Sequence, residues 1–278
     1  MSFKSQIIKL LGNEYIDGSS IPNLAIKRLL KSLGLGPGNT AFEFIRKLYR
    51  ANLRVAVIEK SYSTFGEDRI LVCYLPELTG KYIDIGSGAP CNGSNTYLFY
   101  RRGWTGITID PIGTVRKLQK KKRPKDSQVV ASISNTPEAQ VKFHQYTADD
   151  FSTDSEERVQ FLSTLGINPA STLNVKALKL SSLVKSTNPL EPSLLDIDVE
   201  GNELSVLESN NWAIYLPRVI CIEEWQSPLY NSSPVRLYLE NKGYKIVSRA
   251  FVTSIYVHSS YLSTRTKANE LNAQWFQP

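Results

Sequence analysis

A handful of carboxylates and two glycines in this chain are spaced so that they can surround one small ligand. The run Asp84-Ile85-Gly86-Ser87-Gly88-Ala89-Pro90 follows an apolar segment and opens toward a helical stretch. Glycines in such a turn let backbone approach a ligand with no Cβ in the way. Asp84, at the end of the apolar segment, can attract an ammonium group or fix a bridging water. Asp110 ends the next apolar segment, about 20 residues past the turn, where a carboxylate suits the two hydroxyls of a ribose; its structural alternative is a surface cap. A third group lies in Asp196-Ile197-Asp198-Val199-Glu200-Gly201-Asn202-Glu203. Strand alternation puts Asp196 and Asp198 on one side, and an acid inside an apolar strand is costly unless paired. Asp198 and Glu200, with Glu223 and Glu224 at the end of a later apolar run, form an acidic rim suited to a cationic ligand. The competing reading of that rim is capping and ion pairing with Arg218 or Lys245.

The glycine spacing separates two ligand classes. A dinucleotide site wants three spaced glycines before the helix. Gly86 and Gly88 fit, but Cys91 stands at the third position, so a nucleoside carrying an amino-acid tail is favoured over a nicotinamide dinucleotide.

These residues need a scaffold that brings separate strand ends together. From Lys81 onward, short apolar runs alternate with helical stretches, the pattern of βαβ units on a parallel sheet. Strands are expected at 82–85, 106–109, 128–131, 193–198 and 218–222, with helices at 96–100, 115–122, 203–209 and 235–241. The stretches 245–247 and 253–257 would close the sheet as a hairpin. Val141–Tyr146 alternates like an antiparallel insertion, 148–170 reads as a mobile loop or short helix, and 174–178 as a short strand. The fold class is therefore α/β, a doubly wound, mostly parallel seven-stranded Rossmann-like sheet. Residues 1–60 read as a separate N-terminal helical extension, serving as a cap, a substrate lid or a dimer arm, and 61–278 as the ligand-binding domain. Residues from about 262 onward are expected to be loosely held.

Composition narrows the partners. The chain has 278 residues, a net charge of +7 and three widely spaced cysteines, which argues for a reducing compartment. Cys221, in an apolar run, reads as core. The densest basic stretch, Lys117 and Lys120-Lys121-Lys122-Arg123 with Lys125, could meet phosphates or anionic lipid. The plainer reading is a solvated helix end. The interleaved aromatics of a single-strand nucleic-acid binder are missing, so no nucleic acid is expected. No run is long enough to span a membrane and no secretory signal is read at the start, so the expected location is cytoplasmic.

Four stretches together resemble the FkbM-type methyltransferase family: Phe65-Gly66-Glu67-Asp68-Arg69-Ile70-Leu71; Tyr82-Ile83-Asp84-Ile85-Gly86 with Ser94-Asn95-Thr96-Tyr97-Leu98-Phe99-Tyr100; Arg102-Gly103-Trp104-Thr105-Gly106-Ile107-Thr108-Ile109-Asp110-Pro111; and Asp196–Glu203 with Val206-Leu207. The likeness spans about residues 60–225. It implies S-adenosylmethionine as methyl donor and O-methylation of a hydroxyl on a sugar or secondary metabolite. It further implies that Asp84, Gly86 and Gly88 line the donor site, that Asp110 holds the ribose, and that Asp198 and Glu200 stand beside the methionine end with Glu223 nearby. Ser87-Gly88-Ala89-Pro90 and Asn202 depart from residues frequent in the family, which leaves the substrate class open.

A hydroxyl acceptor must lose its proton, to a base or with help from a metal. His144 and His258 read as structural, so the candidate bases are Asp198, Glu200 and Glu223. The same acids suit a hard cation such as Mg²⁺, but no metal is expected. The partner is a small-molecule or glycan acceptor, and a homodimer is compatible with the N-terminal arm. The rival reading is a regulatory protein that binds S-adenosylmethionine or S-adenosylhomocysteine on the same fold without catalysis.

Overall fold

The computed structural model describes residues 61–135, 139–147, 151–224 and 233–264. The expected N-terminal helical extension, and the tail from 265, lie outside the described residues. Ten strands are described: β1 (Lys81–Ile85), β2 (Thr105–Ile109), β3 (Ser127–Val129), β4 (Ser132–Ile133), β5 (Gln140–Gln145), β6 (Ser171–Leu178), β7 (Ser193–Ile197), β8 (Val219–Glu223), β9 (Tyr244–Ala250) and β10 (Thr253–His258). The described helices are α1 (Glu67–Tyr74), α2 (Tyr97–Arg102), α3 (Gly113–Lys122), α4 (Glu156–Thr164), α5 (Glu203–Glu208) and α6 (Pro234–Asn241).

Seven strands form one sheet in the order β3-β2-β1-β7-β8-β10-β9. The first five pair in parallel, while β10 runs antiparallel to both β8 and β9. This is the doubly wound α/β sheet expected from the alternating pattern, finished by the expected hairpin. Because β7 returns beside β1 on the side away from β2, the switch point lies between β1 and β7. Ligands of open α/β sheets bind at the carboxyl ends of the strands there.

Helices cover both faces, so the central strands read as near-continuous apolar runs. Alternation along β1, β7 and β8 sends Ile83, Ile85, Leu195, Ile197, Ile220 and Ile222 into one core layer. Tyr82, Leu194, Val219 and Cys221 enter the other, against Phe99, Trp104 and Leu71. Local signals set the helix ends. Ser155 and Ser233 accept the backbone N–H groups of Arg158 and Arg236 at the starts of α4 and α6, Pro234 opens α6, and Gly103 ends α2 at φ 110°.

Between β3 and β7 the chain builds a second sheet of three strands, in the order β4-β6-β5. β5 and β6 pair antiparallel over Gln140–Gln145 and Lys176–Ser171, the insertion expected from the alternation in 141–146. β6 starts at Ser171, earlier than expected. The stretch expected as loop or short helix contains the nine-residue α4.

One side of the main sheet holds a buried polar network. Arg123 is fully buried. Its Nε donates to Asp126 at 2.8 Å, Nη1 lies 3.4 Å from Asp84, and Nη2 donates to Thr96 at 2.8 Å. The guanidinium stacks over Tyr82 and Tyr100, and Tyr82 donates its hydroxyl to Asp126 at 2.6 Å. Thr96 also donates to Asp84. The expectation of a wholly solvated basic run is thus corrected at Arg123. Two buried carboxylates need a cation, and the first residue after α3 supplies it.

Candidate functional site

A cleft of about 720 Å³ opens at the carboxyl ends of β1, β2, β7 and β8, a size typical of small-molecule sites. Of the residues expected to form the site, Gly86, Gly88, Asp110, Asp198, Glu200 and Glu223 all line it. Asp84 does not. Burial beside Asp126 pushes its carboxyl up, and Arg123 pulls against that. Asp84 therefore belongs to the buried network below the cleft, and the structure does not bring it into the cleft lining expected from the sequence.

The glycine turn does something other than present free amides. Gly86 N–H and Ser87 N–H both donate to the Ile109 carbonyl, at 2.9 and 3.1 Å, and Gly88 N–H donates to Asp110 at 3.1 Å. Gln119 of α3 in turn donates to the carbonyls of Ser87 and Gly88, at 3.3 and 3.0 Å. A pyrophosphate would need those amides free, so the turn fits a nucleoside better than a dinucleotide. Gly86 and Gly88 also serve different ends. Gly86 has φ 78°, and a Cβ on it would sit 1.7 Å from the Asp198 carbonyl oxygen. Gly88 has φ 46°, and a Cβ there would meet only the Gly86 oxygen, at 3.9 Å. Gly86 is required by a backbone crossing at the switch point, and Gly88 leaves open space toward the cleft.

Asp110 is mostly buried. Its two carboxylate oxygens accept from Gly88 N–H and from Ile112 N–H, the latter at 2.8 Å. These two amides fix the carboxylate in place at the edge of the cleft.

Past β7 the chain crosses the end of β1, with Asp198 N–H donating to the Ile85 carbonyl at 2.9 Å. The expected pairing of Asp196 with Asp198 on one side does not hold, because the strand ends at Ile197. Asp196 is buried against Asn95, which donates to it at 3.1 Å, and burial pushes its carboxyl well up. Asp198 is exposed in the cleft. Its carboxylate and those of Glu200 and Glu223 have oxygens within 4.8 Å of one another. Burial and the neighbouring acids push Glu200 up to about 8 and Glu223 up to about 10. Glu203, fully enclosed just beyond, is pushed up to about 7 by the same burial.

Glu200 is held in the left-handed region at φ 59°, which is unusual for a residue with a Cβ. The small sheet and α4 hold it there. Thr153 donates to the Glu200 carbonyl at 2.9 Å, and Arg158 of α4 donates to its carboxylate at 2.9 Å. Asp154, which lines the cleft, accepts from Asn202 and Ser132. The ion-pair partner of the rim is thus Arg158. Arg218 is engaged instead with the Pro189 and Leu190 carbonyls and the Tyr261 ring. Glu224 leaves the rim as well, accepting from Tyr256 at 2.7 Å in the core. His144 and His258 are absent from the lining. His144 contacts Glu156 and Thr172, and burial lowers the pKa of His258.

Sequence reasoning missed Gln119, Thr153, Asp154 and Arg158. Thr153, Asp154 and Arg158 lie on a loop and a helix of weak pattern, Gln119 on the expected helix 115–122, and no spacing rule links any of them to the strand ends. Asn95 and Arg123 carried a signal that was available: Asp84 and Asp196, buried in apolar strands, had to find partners.

A sequence profile of the Methyltransferase FkbM domain matches residues 82–246, more than half of the chain. No curated protein matches. Among solved structures, a TehB-like SAM-dependent methyltransferase from Corynebacterium glutamicum aligns at 12% identity and a TM-score of 0.38, covering 80% of this chain and 100% of that one. At that level of likeness the strand order itself carries the fold assignment. The profile match covers the glycine turn, Asp110 and the Asp198–Glu203 loop, and by it the chain belongs to the FkbM methyltransferase domain family, whose methyl donor is S-adenosylmethionine.

Proposed function

We propose that this protein transfers a methyl group from S-adenosylmethionine to a hydroxyl of a sugar or secondary metabolite. The observation that carries the reading is the charge of the cleft. Glu67, Asp110, Asp154, Asp198, Glu200 and Glu223 line it, and no Lys, Arg or His does among the described residues, in a chain of net charge +7. A pocket of that sign suits a sulfonium nucleoside with an ammonium tail and opposes a pyrophosphate. Bound S-adenosylmethionine supplies an activated methyl group, so the protein has mainly to position two reactants and take up a proton.

The residues divide that work. Asp110 accepts from the ribose hydroxyls. Gly88 leaves room for the nucleoside, and Ile112, Ile133 and Phe143 give it apolar walls. Asp198 faces the methionine end. Glu200 is the base that takes the acceptor proton. Its raised value matches proton transfer near neutral pH better than an ordinary carboxylate does, and a cation docked beside it draws that value down. Glu223, pushed up to about 10 by burial and its acidic neighbours, eases the repulsion within the cluster. No step requires a metal, and transfer is expected to persist in EDTA.

The test is thermal stabilisation by S-adenosylmethionine and S-adenosylhomocysteine, on the wild type and on Asp110→Ala. Saturation at about 100 times Kd adds roughly 2.7 kcal/mol. Asp110→Ala should lose most of the shift, and an unchanged shift removes the ribose role. Binding of S-adenosylhomocysteine with no transfer to any hydroxylated acceptor would favour a regulatory protein.

A further inference from the structure

The mouth of the cleft carries a surface that methyl transfer does not account for. Along α3 and the residue stretch just after it, Arg116, Lys117, Lys120, Lys121, Lys122 and Lys125 are exposed. None of them has an ion-pair partner among the described residues, and no acid interrupts residues 113–125. Leu118 lies on the same helix face as Lys121 and Lys122, at i+3 and i+4. It is 52% exposed and lines the cleft. Phe65 and Phe251, 52% and 73% exposed, also line it, with ring centroids 4.8 Å apart. Phe251 is held at φ 53°, a costly conformation for an aromatic residue displayed to water.

A solvated helix end accounts for cations near the C-terminus of α3. It does not account for Leu118 among them, or for two phenylalanines exposed at the same opening. Apolar side chains beside a row of lysines are the chemistry of interfacial binding. The apolar groups enter the acyl boundary, and the cations meet anionic headgroups. A polyanion such as RNA would want aromatics interleaved with the cations for stacking, whereas here the aromatics pair with each other on separate segments. No helix among the described residues is long and apolar enough to cross a membrane, which leaves attachment at the surface.

We propose that α3, Leu118 and the Phe65–Phe251 pair seat the protein on an anionic lipid bilayer with the cleft mouth turned toward it. The acceptor hydroxyl is then carried by a molecule resident at that lipid surface, a corollary that rests on the methyl-transfer reading.

The test is co-sedimentation of the full chain with vesicles of phosphatidylcholine alone or mixed with phosphatidylserine. Binding is expected only to the mixed vesicles and should weaken with salt. Each neutralised lysine should cost about fivefold in partitioning, so Lys117→Gln, Lys121→Gln and Lys122→Gln combined should cost about a hundredfold. Leu118→Gln, which changes no charge, should weaken binding several-fold. All four positions are exposed, so melting curves should match the wild type; if the triple variant fails to fold, the salt titration and Leu118→Gln still decide. Failure to sediment with mixed vesicles overturns the proposal. So does equal sedimentation with pure phosphatidylcholine, or heparin binding without vesicle binding. S-adenosylhomocysteine binding is measured without vesicles, so failure of the donor reading removes the corollary and leaves the docking result intact.

Discussion

Two groups of acids, one enclosed and one in the cleft, meet opposite fates. Asp84 and Asp126, below the cleft, surround a fully buried arginine and share its hydrogen bonds with Thr96 and Tyr82. Asp198, Glu200 and Glu223, above it, crowd together with one arginine at their edge. In the lower group both buried carboxylates share one guanidinium, which pulls against the burial that pushes Asp84 up. In the upper group three acids crowd around one arginine at the edge, and burial with the neighbouring acids pushes Glu200 up to about 8 and Glu223 up to about 10. Acids enclosed around one buried cation serve the fold, whereas like-charged acids crowded in an open cleft are the arrangement that a cationic ligand would relieve.

The largest effect should come from breaking the enclosed side. Arg123→Met leaves two buried carboxylates without their cation and should cost about 3–5 kcal/mol of stability at neutral pH, read from urea denaturation. A cost below about 1 kcal/mol would mean that the lower group is no better paired than the upper.

Next is the anchor between the two groups. Asp110→Ala should weaken S-adenosylhomocysteine binding roughly 10- to 100-fold, the value of hydrogen bonds to a charged group, by titration calorimetry. Part of that loss reflects release of the Gly88 and Ile112 amides, so its denaturation midpoint should be measured alongside.

The crowded side should show itself through pH. Glu200 and Glu223 titrate at about 8 and about 10 when folded, against an ordinary value of 4.5. Between those limits the folded state binds more protons than the unfolded one, so these groups make stability fall as pH rises. Denaturation of the ligand-free protein from about pH 6 to about pH 9 should show that slope, and Glu223→Gln should flatten it. A slope unchanged in Glu223→Gln would locate the proton uptake elsewhere.

The smallest change is local. Glu200→Gly relieves a left-handed backbone but removes the carboxylate that pairs with Arg158, so stability should stay within about 1 kcal/mol of the wild type while transfer is abolished. Full transfer would contradict the role given to Glu200.

The same contrast explains what was legible beforehand. β1, β7 and β8 are buried on both faces over nearly their whole length, so their apolar runs stand out, and the acids at the strand ends were readable as a site. β6 was only partly seen because Val175 is its one fully buried position. α4 shows little pattern, since only Arg158 and Leu162 are buried on it. A helix recruited to supply one cation needs no apolar stripe. The role of Asp84 was misplaced because strand position alone does not distinguish an acid that faces the cleft from one that faces Arg123.

The crossing of Gly86 with the carbonyl of Asp198 has a consequence for how the molecule can change. The glycine turn and the acid loop meet backbone to backbone, at Gly86 against the Asp198 carbonyl and at the hydrogen bond from Asp198 N–H to the Ile85 carbonyl. Neither loop can shift without carrying the other. Variation in acceptor preference should therefore arise at the rim, from the small sheet and the β9–β10 turn, while the paired loops stay locked as one part.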